Sequence, residues 1–332
     1  MDWSKGFSSA YYMMIVDPVT WRDVERVEIT NGSISRSDEG LRQSADIDCT
    51  EFDTNREKWV RIYLDAAQEG DVVHTPLFTG LSSVPERSID GTRTNYPLTC
   101  YSVLKPAEDI LLQRGWYAPK GFNGAELVGD LLSSTPAPIV IEENAPNLTQ
   151  SIIAESGESH LTMVNKILEA INWQLRIKGD GTITVCPLAS ETSAIFGLDN
   201  DVIEPKVSFK SDWFDCPNVF RVTSNGMTAI ARDDEDESML STVTRGREIW
   251  IEDSNGNLND GEGLEQYASR RLKEEQSVAY TVSYTRRFDP DILVGDVVEM
   301  HYPGQNLTGK YTITSQNIEL SHGAKTSEEV KR

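Results

Sequence analysis

The 332-residue sequence predicts a mainly β protein with an α/β insertion, an α+β arrangement in which two small β-barrel-like domains flank a small α/β segment. Three observations carry this reading. Period-two alternation dominates the first hundred residues, 3.6-residue stripes begin only after Lys105-Pro106, and alternation returns from Pro205. The length suits about two domains.

The first β-barrel-like domain is expected over residues 1–105. Val60, Ile62 and Leu64 alternate with Arg61, Tyr63 and Asp65, and Ala45, Ile47 and Cys49 alternate with Ser44, Asp46 and Asp48. That is the period of a half-buried strand. Residues 11–16, 72–81, 84–90 and 96–104 read as further strands. Asn31-Gly32, between the runs 27–29 and 33–35, reads as a tight hairpin turn, because both residues tolerate positive φ. Short strands at this spacing indicate a small barrel or sandwich.

The α/β insertion is expected over residues 106–200. Asn123 can cap a helix near 123–133 with Glu126 in the capping-box position, followed by Leu127, Val128, Leu131 and Leu132, before Pro136 and Pro138 stop it. Leu161, Val164, Ile167, Leu168 and Ile171 stripe a second helix near 159–172. It runs straight into a hairpin over 173–185, turned by Gly179-Asp180-Gly181.

The second β-barrel-like domain is expected over residues 201–324. Val207 and Phe209 precede strands near 218–223 and 227–231 that flank Ser224-Asn225-Gly226. The acidic run 233–237 is too charged for a core and reads as an exposed loop. A helix near 260–275 carries Leu264, Tyr267, Ala268, Arg271 and Leu272 on one stripe. Val278, Tyr280, Val282 and Tyr284 then share one strand face, and strands at 294–300 and 311–320 finish the set. The polar residues 325–332 are expected to form a flexible tail.

Composition narrows the function. Fifty-three Asp and Glu against 31 Lys and Arg give a net charge of −22. That balance disfavours sequence-specific nucleic-acid binding, which gains affinity by neutralising phosphates, and disfavours docking on anionic headgroups. The longest apolar run, residues 10–16, is far short of the roughly 20 residues that span a bilayer, so no membrane insertion is expected. The start, Met1-Asp2-Trp3-Ser4-Lys5-Gly6, lacks the basic and apolar regions of a signal peptide, which points to synthesis in the cytoplasm. Cys49, Cys100, Cys186 and Cys216 are widely spaced and read as reduced core thiols. Asn31, Asn147 and Asn306 head glycosylation triplets that read as chance turn sequences.

Chemistry-bearing motifs are missing. The sequence holds no Gly-x-Ser-x-Gly elbow, His-Glu-x-x-His helix or Gly-x-x-x-x-Gly-Lys loop. His74, His160, His301 and His322 each fall alone, which favours surface or cap roles. Asp253, Asn255 and Asn257 alternate as in a calcium loop, but Leu258 and Leu264 stand where glycine and glutamate are required. Glu142 with Glu143, and Asp46 with Asp48, are neighbours in sequence only, which does not place them across a substrate bond. Arg270-Arg271 and Arg286-Arg287 read as interface or surface ion pairs. No residue is singled out as catalytic, cofactor-binding or metal-ligating, and no cofactor is expected.

Three stretches carry a resemblance. They are residues 161–175 leading to Gly179-Asp180-Gly181-Thr182-Ile183-Thr184-Val185, then Leu293-Val294-Gly295-Asp296-Val297-Val298 with Gly309-Lys310-Tyr311-Thr312-Ile313-Thr314-Ser315, and Phe78-Thr79-Gly80. In their order along the chain these resemble the baseplate hub proteins of phage tails, in particular the XkdQ/YqbQ family of PBSX-type prophages, related in fold to late control protein D. The resemblance implies a structural hub in the virion tail, assembled in the bacterial cytoplasm and without enzymatic activity. Its implied form is a homotrimer that joins a hexameric tail tube to a central spike and contacts other baseplate proteins and the tape measure. Three copies with two barrels each would present six, a closed ring with a lumen for DNA. Three copies at −22 each carry −66, which would repel DNA from that lumen if the charge lines it, although the same charge also serves plain solubility. Two other readings are a tail-tip peptidoglycan hydrolase and a carbohydrate-binding β-protein. The latter needs converging aromatics, and the seven tryptophans are scattered through all segments.

Overall fold

The structure, a computed structural model, describes residues 1–53, 55–84, 88–90, 93–197, 202–211, 213–224, 226–253, 262–277, 280–305 and 307–331. It divides into two compact units, Met1–Lys206 with Tyr284–Glu329, and Val207–Ser283 with Val330–Arg332. The class is mainly β, with a small helical insertion.

The chain opens with β1 (Ser8–Val16), β2 (Asp23–Ser37), β3 (Gln43–Cys49), β4 (Trp59–Gln68), β5 (Asp71–Ser82), β6 (Ser88–Asp90) and β7 (Arg93–Ser102). Six of these close on themselves in the order β1-β4-β5-β7-β3-β2 and back to β1, each neighbour antiparallel, while β6 pairs with β7. Closure removes the open sheet edges that would otherwise invite aggregation. Alternation along β4 sends Val60, Ile62, Leu64 and Ala66 inward, where Met13, Ile47, Phe78, Leu98 and Cys100 complete the core. Burying such aliphatic side chains stabilises by roughly 1.5–3 kcal/mol each.

Asn31 and Gly32 do not turn the chain. They lie inside β2, which runs unbroken for 15 residues, and the register against β3 shifts between Ile29 and Asn31. A Cβ on Gly32 would stand 2.7 Å from Asp46 O and from Ile47 Cγ2. The glycine here serves close backbone approach at an irregularity of the ladder, not a positive φ.

Next come α1 (Lys105–Asp109), β8 (Tyr117–Ala118), α2 (Gly124–Leu131), β9 (Ile139–Ile141), β10 (Ile152–Ile153), α3 (His160–Ile171), β11 (Trp173–Ile177) and β12 (Ile183–Pro187). Asn123 Oδ1 accepts hydrogen bonds from the N–H groups of Ala125 and Glu126 at 3.0 and 3.1 Å, which starts α2. Ser159 Oγ caps α3 by accepting from Thr162 N at 3.1 Å. α3 ends at Asn172, whose φ of 57° turns the chain directly into β11. β11 pairs antiparallel with β12, and β9 joins β12 in parallel. Val128, Leu131, Val164, Ile167, Leu168, Leu175 and Val185 form a core of their own between helices and sheet.

After β13 (Thr192–Gly197) and β14 (Ile203–Ser211), the second unit holds β15 (Val219–Ser224), β16 (Met227–Arg232), α4 (Thr242–Arg245), β17 (Trp250–Asp253) and α5 (Leu264–Ser277). Its sheet runs β16-β15-β17, and Tyr267, Ala268 and Leu272 of α5 pack on Phe220, Val222, Ala229 and Ala231. Residues 207–283, inside the segment expected as a second barrel, thus have a separate core. The acidic run 233–237 is a loop outside it.

The remaining strands are β18 (Tyr280–Arg286), β19 (Val297–Tyr302), β20 (Leu307–Glu319) and β21 (Thr326–Lys331). With β13 and β14 they make a second set of six, in the order β13-β19-β20-β21-β18-β14. Ser33–Ser37 of β2 pairs antiparallel with residues 319–315 of β20, so both sets belong to one sheet.

The tail expected over 325–332 is instead largely the strand β21. Thr326, Glu328 and Val330 are buried in alternation with exposed neighbours. The Glu328 carboxylate accepts from Arg286 at 2.6 Å and from Gln316 Nε2 at 2.6 Å, so a polar residue occupies a core position because its partners are buried with it. Arg332 lies outside the described residues.

Candidate functional site

The three resemblance motifs come together around the β11–β12 hairpin of the first unit, Phe78-Thr79-Gly80 at its tip and Gly295-Asp296 along β11. Gly181 N donates to Lys178 O at 2.9 Å and Thr182 N to Asp180 Oδ1 at 2.9 Å, which closes the turn. Its exposed carbonyls are taken up by the first ring of strands. Thr79 Oγ1 donates to Gly179 O at 2.8 Å, while Trp21 Nε1 and Arg61 donate to Asp180 O at 3.2 and 3.1 Å. Arg61 is held in turn by Asp23 at 2.7 Å and by Thr79 Oγ1 at 3.0 Å. The strand pattern alone sends Arg61 to solvent; the hairpin covers that face and buries it.

Glycine is required here by contact. A Cβ on Gly179 would lie 1.8 Å from Pro76 O, and one on Gly181, whose φ is +85°, 2.9 Å from Thr79 and Trp21. Within Phe78-Thr79-Gly80, a Cβ on Gly80 would meet Tyr101 O at 2.1 Å. The third motif docks on the other side of the hairpin. Gly295, with φ +88°, brings its backbone so close that a Cβ would lie 2.3 Å from Gln174 Oε1. Asp296 accepts from Leu293 N at 2.8 Å and pairs with Arg176 of β11.

Beside this junction runs a buried polar chain. Arg36 donates to Leu77 O at 2.6 Å and to Gln316 Oε1 at 3.4 Å; Gln316 donates on to Glu328, which Arg286 also reaches. Arg286, expected in a surface or interface pair, is a core residue, and only its neighbour Arg287 is exposed. Burial, reinforced by nearby Arg286, pulls the Arg36 guanidinium down to about 10 despite the attraction of Glu328. Arg270 and Arg271 pair along α5 with Glu262, Glu274 and Glu275.

Groups that could do chemistry stay apart. His74 pairs with Asp65 at 2.6 Å on the surface, His301 stands beside Glu299 at 2.9 Å, and His160 Nδ1 lies 3.0 Å from Leu131 O. Asp46 and Asp48 accept from Thr99 and Asn95, each at 2.9 Å, and Glu142 and Glu143 are exposed. Among the described residues no three His, Cys, Asp or Glu side chains come together as a metal site. Asp253 accepts from Tyr267 OH at 2.6 Å, whereas Asn255 and Asn257 lie outside the described residues. The four cysteines are free and buried, and burial pushes the Cys49 and Cys186 thiols up to about 12 and 11. Among the described residues no helix is long and apolar enough to cross a membrane.

A closed ring of six strands, a second set of six on the same sheet, and an α/β insertion wedged at their junction form a distinctive combination, and solved structures share it. The chain has the fold of phage tail proteins. It is similar to a prophage MuSo2 43 kDa tail protein from Shewanella oneidensis, with a TM-score of 0.73 and 12% identity over 98% of this chain and 97% of that one. It is similar to a tail protein from Neisseria meningitidis, with a TM-score of 0.72 and 15% identity over 97% of each chain. An E. coli component of the type VI secretion system, itself described as structurally similar to the T4 phage tail proteins gp27 and gp5, matches with a TM-score of 0.52 and 8% identity over 96% of this chain and 75% of that one. No family model and no curated protein matches the sequence. At 8–15% identity the likeness is one of fold.

Proposed function

We propose that the chain is a structural hub of a phage or phage-like tail, a trimeric adaptor between a hexameric tail tube and a central spike. The observation that carries this reading is the pair of six-stranded sets contributed by one polypeptide and joined through β2 and β20. Three copies would supply six such sets, so a threefold assembly could match a sixfold tube. We retain the three-part division at residues 105 and 200 as the functional one, with the insertion fixing the two sets through the hairpin junction. The likeness to tail proteins, and to a secretion component compared with gp27 and gp5, supports a place at the tube–spike boundary. The partners are the tube protein, the spike, the tape measure and neighbouring baseplate proteins. The lumen would pass DNA without gripping it, as an acidic chain suits.

Light scattering coupled to size exclusion tests this, alone and with tube or spike protein. A trimer, or a trimer formed with either partner, is the expected result, with rings holding a central hole in negative stain. A monomer under all these conditions would refute the hub. The scatter of chemical groups gives no support to the hydrolase alternative, which predicts loss of turbidity from purified peptidoglycan.

A further inference from the structure

A small cavity lies between the β2–β3 turn, β11 and residues 293–295, walled by Arg36, Asp38, Arg42, Gln43, Arg176 and Gly295 among others. It offers about 30 Å³ of room for water centres. One water needs roughly 10–15 Å³ on that measure, so the space takes about two. The charges of the wall are already balanced. Asp296 pairs with Arg176, Glu328 attracts Arg36 while it binds Arg286, and Asp38 and Glu39 act on Arg42. What the wall lacks is hydrogen-bond partners, and of both kinds. Gln43, more than nine-tenths buried, donates through Nε2 to Ile177 O at 2.8 Å, which fixes the orientation of its amide. Its Oε1 is buried without a donor, and the Nε–H groups of Arg36, Arg42 and Arg176 are buried without an acceptor among the described residues. An anion would leave Gln43 Oε1 unmet, and a cation would leave the three Nε–H groups unmet. A small neutral molecule that both donates and accepts serves the whole wall, and at this size that molecule is water. A buried polar group left unpaired is costly, and a bridging water restores nearly the enthalpy of a direct bond. We propose that this cavity is a water-binding site, with about two ordered molecules bridging Gln43 to the arginines, so that β11 is joined to β2 and β3 through water as well as by direct bonds.

A crystal structure of the full chain, at a resolution that orders solvent, tests this directly. The expected result is water density within hydrogen-bond distance of Gln43 Oε1 and of at least one of the three Nε atoms. A dry cavity, an ion, or a side chain filling the space overturns the proposal. Deuteron relaxation dispersion of the solvent reads the same waters in solution. Gln43→Met removes the acceptor and fills the space, and should lower the signal of long-lived buried water by about one or two molecules per chain. A signal equal to that of the unaltered chain overturns the proposal. Should this variant fail to fold, the density in the unaltered chain decides.

Discussion

Gly179→Ala is the sharpest single perturbation of the junction. The new Cβ would sit 1.8 Å from Pro76 O, and real Cβ contacts essentially never fall below 3.0 Å, so the hairpin tip must withdraw by about 1.2 Å. The obstacle is backbone in the middle of β5 and cannot swing aside. Withdrawal stretches all three hydrogen bonds to the tip, which now measure 2.8, 3.2 and 3.1 Å. Two come from neutral donors, at about 1 kcal/mol each, and one from the Arg61 guanidinium, at about 1.5–3 kcal/mol; the Thr79 hydroxyl proton and Arg61 Nη2 would lose their acceptors, while Arg61 keeps Asp23 and Thr79 Oγ1. A loss of about 3.5–5 kcal/mol follows. Denaturant unfolding followed by tryptophan emission reads it, since Trp21 stands at the tip and Trp59 lies 5.6 Å from it. Gly6→Ala, with nothing within 4 Å, is the control and should stay within about 0.5 kcal/mol of wild type. Gly295→Ala should fall between the two, at about 1–2 kcal/mol, because its obstacle is the movable end of Gln174 and its cost is mostly the positive φ. Gly179→Ala as stable as the control would refute the docking argument.

Removing one partner of the Arg286–Glu328 pair, by Arg286→Met or Glu328→Met, should cost about 3–5 kcal/mol in the same assay, because a charge stays buried without its mate. The double change Arg286→Met with Glu328→Met should cost less than either, and an additive cycle would show that the two groups are not coupled. Asn123→Ala should destabilise by about 1 kcal/mol and Asn123→Gly by only a few tenths, measured by urea midpoint. The folded chain keeps the Cys49 and Cys186 thiols protonated up to about pH 12 and 11, whereas the unfolded chain releases those protons near pH 8.5. Stability is therefore full below about pH 8.5 and falls as pH rises through 9 and beyond, with a smaller fall in Cys186→Ala; a urea midpoint constant from pH 8 to 10.5 would contradict this.

Much of this fold is legible because local periodicity and burial agree. Val60, Ile62 and Leu64 alternate in the sequence and in the core, and the stripe from Leu161 to Ile171 lies on α3. The misreadings have one cause, tertiary partners distant in sequence. Asn31-Gly32 has the composition of a turn, yet the neighbour that demands glycine is Asp46–Ile47 on another strand. The last strand looks like a solvated tail because its buried positions are Thr326 and Glu328, and the Arg286 that neutralises Glu328 lies 42 residues upstream. The α5 stripe marks a buried helix face, but a stripe cannot show that the helix covers the separate sheet β16-β15-β17. The junction itself was present only as three short motifs, about a hundred residues apart, with nothing local to show that they meet.

That convergence also places few demands on side-chain identity. In the first unit the two strand sets are joined by backbone pairing of β2 with β20, which any side chain permits, and the hairpin demands absent side chains at Gly179 and Gly181 of its tip and at Gly295, which packs against β11. Backbone carbonyls at the tip accept from whatever donors the ring supplies, here Thr79, Trp21 and Arg61. Such a joint can drift in sequence almost everywhere else while holding its geometry.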